Sequence, residues 1–367
     1  MKRALITGIT GQDGPYLALL LLNKGYKVYG TYRRTSTPNF WRLQQLRVLH
    51  RITLIPADLS DMSSLLEAVT ISNPQEIYNL AAQSFVGNSF DTPLLTTEID
   101  ASGATRFLEI IRHLSRNIKF YQASTSELYG AIRKTPQDEH PPFMPNSPYA
   151  AAKLYSFHMT RIYREAYGIF ACNGILFNHE SPLRGLEFVT RKITNSVAKI
   201  KLGLQKELRL GNLETRRDWG FAPEYVQAMW LMMQQRKADD FVIATGETHS
   251  VAEFAQAAFA VVGLDWRDYV KADPRLLRPL DVSHLCGDYS KVERLLGWKP
   301  RMTFQKIVEI MVKADLERWQ KYRQGEIFPW DAPSYSSEID ILSRTVAREG
   351  RRPEATIAGL WQRLRRG

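Results

Sequence analysis

Cysteine is almost missing from this chain. Among 367 residues there are two, Cys172 and Cys286, far apart in the sequence. They form no Cys-x-x-Cys and no metal-ligand spacing. That excludes a disulfide framework, and two reduced thiols in a cytoplasmic protein are expected. Long hydrophobic runs are missing too: the stretch Tyr16 to Leu22 is far too short to cross a bilayer. Lys2 and Arg3 precede an apolar start, but Gly8 cuts it and Gln12-Asp13 follows, so no secretory h-region forms. There is no internal repeat, no low-complexity segment and no nucleic-acid-binding motif, and neither a membrane nor a nucleic acid is expected as partner. His179 is followed by Glu180, yet no second histidine or carboxylate stands at ligand spacing, so no metal is expected.

What is present points elsewhere. Hydrophobic residues make up 44% of the chain, enough for a sizeable core, and the length suits one large domain with a smaller one. The formal net charge is +11, which suits an anionic ligand such as a nucleotide diphosphate.

Short apolar runs alternate with helical patterns through the first half. Strands are expected at Ala4–Thr7, Lys27–Thr31, Ile52–Pro56, Glu76–Asn79, Lys119–Ala123 and Ala171–Leu176. Helices are expected at Gly14–Lys24, Met62–Ser72, Leu95–His113 and Tyr149–Tyr167. This alternation predicts an α/β fold, a doubly wound Rossmann parallel sheet with ligands at the carboxyl ends of its strands. After about Leu183 the pattern changes. Helices Thr190–Leu202, Glu224–Gln235, Val251–Val262, Ser290–Leu296 and Thr303–Arg323 are expected, with strands Glu207–Gly211 and Phe241–Thr245 and a loop at Glu214–Gly220. The expected organisation is a Rossmann domain over 1–182 that regains a strand and helix from about 212–248. A smaller, partly interwoven substrate-binding lid follows over 183–323, then an extension over 324–367. The extension is rich in arginine, and Ile357, Leu360, Trp361 and Leu364 would share one face of a helix there.

Between the first strand and first helix lie Gly8, Thr10, Gly11, Gln12, Asp13 and Gly14. Glycines there let backbone approach a pyrophosphate, and the helix N-terminus offers free N–H groups. The second strand ends in Thr31-Tyr32-Arg33-Arg34-Thr35-Ser36. An acid at that place would hold the ribose 2′-OH of NAD; two arginines and two hydroxyls suit the 2′-phosphate of NADP. Asp58-Leu59 could contact the adenine, and Leu80, Ala82 and Ser84 follow the fourth strand in a run of small residues that lets a cofactor lie close.

The chemistry is carried by Thr125, Glu127, Tyr149 and Lys153. Tyr149 and Lys153 stand one helical turn apart on one face, and Tyr-x-x-x-Lys suits hydride chemistry on an alcohol or ketone. An ammonium near the phenol is expected to lower its pKa. Glu127 sits at the carboxyl edge of the fifth strand, where it can act as general base and acid. Hydride transfer beside an acid/base group suggests a dehydratase that oxidises, eliminates water and reduces in one site.

Long strings carry a resemblance: Gly8-Ile-Thr-Gly-Gln-Asp-Gly14, Tyr78-Asn-Leu-Ala-Ala-Gln-Ser84, Phe120-Tyr-Gln-Ala-Ser-Thr-Ser-Glu127, Gly174-Ile-Leu-Phe-Asn-His-Glu-Ser-Pro182, Phe188-Val-Thr-Arg-Lys192 and Arg217-Asp-Trp219. From about Lys2 to Leu316 the chain resembles the extended short-chain dehydrogenase/reductases and, closely, the GDP-mannose 4,6-dehydratases. The resemblance implies conversion of GDP-D-mannose to GDP-4-dehydro-6-deoxy-D-mannose with NADP recycled internally. In it Tyr149 takes the C4 hydroxyl proton, Thr125 bonds the C4 oxygen and Glu127 serves the elimination across C5 and C6. It places Arg34, Asp58, Leu59, Ser84, Lys153, His179 and Arg184 on the cofactor. It places Ser126, Asn178, Val189, Lys192, Gly211, Asn212, Arg217, Arg278 and Asp281 on the GDP-sugar. Its members form homodimers or homotetramers. This chain departs at Asn146, where similar proteins carry arginine, at Asp281, where they carry glutamate, and near Leu95, where an aromatic is usual. These departures leave the sugar open between mannose and a modified relative such as a heptose. The competing readings are a same-fold epimerase or reductase, which has a neutral group in place of Glu127, and a non-catalytic dinucleotide sensor, which tends to lose Tyr149 and Lys153.

Overall fold

In the computed structural model of the chain, which describes residues 1–35, 39–131, 134–140, 142–277 and 280–325, the six early apolar runs become strands β1 (Arg3–Thr7), β2 (Lys27–Tyr32), β3 (Thr53–Pro56), β4 (Glu76–Asn79), β5 (Lys119–Thr125) and β6 (Ala171–Leu176). With Phe241–Ile243 they form a seven-stranded sheet in the order Phe241–Ile243, β6, β5, β4, β1, β2, β3, and every pairing is parallel. Strands buried on both faces read as continuous apolar runs, and all of β6 is buried. One face packs Leu17, Leu21, Tyr225, Met229 and Met232. The other packs Leu65, Val69, Phe107, Ile111 and Tyr163. The chain goes out from β1 to β3 on one side and returns to β4 on the other, which opens a crevice at the carboxyl ends of β1 and β4. The Thr7 hydroxyl donates to Asn79 Oδ1 at 2.7 Å and accepts from the Leu80 and Ala81 amides at 3.0 Å, fixing that edge.

A second core gathers Ile193, Leu210, Phe254, Phe259, Ile307 and Met311. Its helices are Val189–Lys201, Val251–Val261 and Phe304–Arg323, and its strands Leu208–Leu210 and Val270–Ala272 pair in parallel. A buried charge cluster ties it to the loop after β6. Arg191 meets Asp315 at 2.8 Å, and Arg318 meets the same carboxylate at 2.9 Å. Arg191 also donates to the carbonyls of Pro182 and Arg184, and Arg318 to that of Pro182.

Two expectations change. The segment Leu95–His113 is not one regular helix: it comprises Pro93–Thr97, a wide π turn at Glu98–Ser102 and Gly103–Leu114. The segment Glu214–Gly220 is not a loop. Arg216–Arg217 pairs antiparallel with His249–Ser250, and Trp219–Phe221 pairs in parallel with Asn178–Glu180. Strands of two and three residues are too short to show an alternation in sequence. The basic C-terminal helix expected around Trp361 lies outside the described residues, and so does Arg278.

Candidate active site

The crevice opens into a cleft of about 670 Å³ that runs from the carboxyl ends of the sheet to the second core. Local sequence builds its walls in identifiable ways. Helix Asp13–Asn23 starts without a side-chain cap at Gln12, so its first N–H groups are left for a ligand. Gly8 has φ +64°, and a Cβ there would stand 2.8 Å from the Ala81 backbone. A Cβ on Gly14 would stand 2.7 Å from the Ile9 backbone. Glycine is therefore required at both positions for the loop to pass against its neighbours.

Helix Pro148–Tyr167 begins with Ser147, whose hydroxyl accepts from the Ala150 amide at 3.1 Å, and Pro148 fills the first position. The helix buries Tyr149, Lys153, Phe157 and Thr160 at helical spacing. Lys153 Nζ donates to the Ala123 carbonyl at 3.1 Å, which fastens the helix to the end of β5. Thr125 closes β5; its Oγ1 accepts from the Glu127 amide at 3.2 Å, and its side chain lies near the Tyr149 phenol. Thr125, Glu127, Tyr149 and Lys153 thus line the same cleft.

The electrostatics differ from the sequence expectation. Lys153 Nζ is 5.8 Å from the Tyr149 ring centre, and the phenol is held above its ordinary pKa rather than below it. Burial pushes Tyr149 up, the nearby Asp100 charge adds to this, and the Thr125 side chain opposes it. Burial lowers Lys153, against the attraction of Asp100. Asp100 itself is pushed up to about 6 by burial, with Lys153 and the Gln83 amide opposing. Asp100 lies in the π turn, 2% exposed, and its Oδ1 accepts from the Gln83 amide at 2.7 Å. Sequence reasoning passed over it, although an acid inside an apolar helical stripe was the signal.

The cleft collects most of the expected binding residues. On the dinucleotide side are Gly8, Thr10, Gly11, Gln12, Asp13, Gly14, Arg33, Asp58, Leu59, Leu80, Ala82, Ser84, His179 and Arg184. On the far side are Ser126, Asn178, Val189, Lys192, Gly211, Asn212, Arg217 and Asp281. Arg34 is exposed and does not line the cleft, because successive side chains leaving a strand point to opposite sides. Arg217 donates to Asp281 at 3.1 Å and to the Val282 carbonyl at 2.6 Å, so Asp281 holds an arginine. Burial lowers the Lys192 ammonium's pKa, and Asp273 opposes this. The sequence reading also missed Arg275, held by Asp273 at 2.8 Å, and Arg42, which donates to the carbonyls of Leu183 and Thr10. Gln83 lines the cleft with both side-chain amide atoms buried and unbonded. Neither Arg42 nor Gln83 stands in a pattern with a distinctive chemical signature. Among the described residues no group of three or more His, Cys, Asp or Glu could hold a metal ion, and no helix is long and apolar enough to cross a membrane.

The uncapped helix, the glycine-lined approach and the unbonded Gln83 amide fit a dinucleotide. Comparisons with known proteins identify the family and the fold. A family profile described as GDP-mannose 4,6 dehydratase matches residues 5–311. The chain is 52% identical over 326 residues to GDP-mannose 4,6 dehydratase 2 of Arabidopsis thaliana, spanning 86% of this chain and 87% of that protein. It is 46% identical over 356 residues to GDP-mannose 4,6-dehydratase of Yersinia enterocolitica, spanning 88% and 96%. Among solved structures, dTDP-glucose 4,6-dehydratase from Bacillus anthracis in complex with NAD superposes with a TM-score of 0.76 at 18% identity, over 89% of this chain and all (100%) of that one. RMD from Pseudomonas aeruginosa complexed with NADPH superposes with a TM-score of 0.72 at 20% identity, over 86% and 100%. These two likenesses show the fold.

Proposed function

The chain belongs to the GDP-mannose 4,6-dehydratase family, and from that premise we propose that it converts GDP-D-mannose to GDP-4-dehydro-6-deoxy-D-mannose and water with NADP that is regenerated in each cycle. Its class is a dehydratase with NAD(P)-dependent nucleotide-sugar chemistry. The observation that carries the finer reading is Glu127 close to Thr125 and Tyr149 in the lining of one cleft.

When bound, NADP would supply a hydride acceptor for C4 and a hydride donor for C6 of the sugar. Tyr149, as the phenolate, accepts the C4 hydroxyl proton, and Thr125 holds the C4 oxygen as it becomes a ketone. That ketone acidifies the C5 hydrogen. Glu127 removes it, then gives the proton to the C6 hydroxyl, which leaves as water. The proton first taken from O4 balances the one that C5 regains. Lys153, anchored to β5 through the Ala123 carbonyl, would hold the nicotinamide ribose beside Tyr149. The cationic wall of Lys192, Arg217 and Arg275 would take the diphosphate. Arg33 at the end of β2, with no acid beside it, favours NADP over NAD. We read the assembly as a homodimer or homotetramer, supported by exposed Leu114, Tyr155 and Ile162 on helices Gly103–Leu114 and Pro148–Tyr167; light scattering of the purified chain tests it.

The decisive test is incubation with GDP-mannose and no added cofactor, with NMR identification of the product. A 4-keto-6-deoxy product without net cofactor change is expected. Glu127→Gln should lower kcat by about 100-fold or more, the typical worth of a positioned acid/base, while oxidation at C4 still generates reduced-cofactor absorbance. Unchanged turnover in Glu127→Gln sinks the mechanism, as does a product that consumes NADPH in equal amount.

A further inference from the structure

An acid in a loop that receives a diphosphate is an electrostatic problem. Asp13 lines the cleft at the first position of its helix, where its negative charge would repel phosphate oxygens. The structure supplies a partner. His179, 8% exposed, stands on Asn178–Glu180 with Nε2 2.8 Å from Asp13 Oδ2 and Nδ1 2.8 Å from the Phe177 carbonyl. A carbonyl oxygen and a carboxylate are both acceptors only. Both ring nitrogens therefore face groups that need a donor, which a neutral imidazole cannot satisfy with its single N–H. The ring lies flat on Tyr225, with centroids 4.6 Å apart.

The same two segments are sewn together beside the ring. Gln12 Nε2 donates to the His179 carbonyl at 2.9 Å, and Ser181 Oγ donates to Gln12 Oε1 at 2.9 Å. The other charged and titratable groups near the pair are Arg184, which opposes a charged ring; Glu180, which meets Arg184 at 3.3 Å; and the Tyr16 phenol near Asp13. Burial also works against the charged ring, but the Asp13 carboxylate outweighs both, and His179 is held above its ordinary pKa. Asp13 is correspondingly held below its own, by His179 against burial.

We propose that His179 is a positioning residue that remains an imidazolium, cancels the Asp13 charge, and clasps the phosphate loop to Asn178–Glu180 so that a dinucleotide diphosphate is accepted and released slowly. This rests on the cofactor reading above. It adds that one specific charge pair, formed across 166 residues of sequence, governs retention of the cofactor.

The test uses the full chain freed of nucleotide and titrated with NADPH by fluorescence. Glutamine at position 179 keeps an N–H for Asp13 but removes the charge. His179→Gln should weaken NADPH binding by about 10-fold or more, as expected when one carboxylate is left uncompensated beside a phosphate. His179→Gln with Asp13→Asn should recover most of that loss. Binding within twofold of wild type in His179→Gln overturns the proposal, and so does a double variant as weak as the single. If wild type binds neither NADPH nor NADH, the cofactor reading fails instead. Should the variants fail to fold, ¹⁵N NMR of the histidine rings in wild type decides: both nitrogens of one ring protonated at about pH 8, well above the ordinary histidine range, supports the clasp, and a neutral ring at 179 overturns it.

Discussion

The two walls of the cleft are built in opposite ways. The wall around Gly8–Gly14 offers backbone: an uncapped helix N-terminus and a loop that passes other main chain with no room for a Cβ. The wall around Arg217 and Arg275 offers side-chain cations, each already held by an acid: Arg217 by Asp281 and Arg275 by Asp273. The first is rigid because of what its residues lack. The second is ordered by paired charges that must be kept in balance. One wall should therefore respond to added bulk and the other to a change of charge.

Bulk on the first wall should give the largest effect. Gly8→Ala places a Cβ 2.8 Å from the Ala81 backbone at φ +64°. Strain and overpacking together should cost about 3–4 kcal/mol. The cost is measurable as lost NADPH affinity and a lower Tm; an unaffected variant would break the comparison at once.

A buried acid of the second wall should respond to pH. Asp218 follows Arg217 and accepts from the Thr245, Gly246 and Gly287 amides. Burial nonetheless pushes its carboxyl up to about 6. A carboxyl raised on folding contributes stability that is complete below about pH 4 and lost as pH rises towards 6. The loss attributable to this group is about 3 kcal/mol at most. Chemical denaturation of wild type and Asp218→Asn across pH 4–7, a window set by the same two values, should show the advantage of wild type shrinking as pH rises. A constant difference would remove Asp218 from the account.

Charge removal on the same wall comes next. Arg217→Ala removes the guanidinium beside the Asp281 carboxylate and should raise KM for the GDP-sugar by about 30-fold, roughly 2 kcal/mol, with a smaller change in kcat. Restoration of KM in Arg217→Ala with Asp281→Asn would sharpen the comparison, because it isolates repulsion from lost contact. The smallest effect is expected at Arg33, exposed at the cleft mouth. Arg33→Ala should weaken NADP binding by about fivefold and leave NAD binding unchanged, as suits a solvent-screened charge. Arg34→Ala should change neither.

The walls also differ in how far the sequence disclosed them. The first wall follows a strand and opens a helix, so strong local periodicity located it; Glu76–Asn79 and Met62–Ser72 match the expectation to the residue. The second depends on strands of two or three residues whose partners are distant in sequence. Arg217 pairs with His249, and Arg217 donates to the Val282 carbonyl. No local pattern encodes such meetings. Resemblance supplied the residue types on that wall, but not that Arg217 and Asp281 would bind each other. The upward direction of the Tyr149 pKa was not legible for a related reason. A four-residue spacing puts Lys153 on the same helix face, but the ammonium's direction is set by the Ala123 carbonyl on β5. Asp100, which acts on both groups, belongs to a third segment.

The π turn at Glu98–Ser102 makes the chain sensitive to length as well as to chemistry. Such a turn holds one residue more than the α-helix around it. Loss of any one residue there would let an unbroken α-helix form. Because the wide turn absorbs its extra residue, the helix before it and the helix from Gly103, which is packed on Leu59, would keep their orientation, and only the side chains of the turn itself would shift around the axis. Leu95 and Ile99 now line the cleft. A single codon deleted from this stretch would thus change which of the turn's side chains face the cleft without substituting one of them, a route to altered selectivity that a catalogue of point mutations would overlook.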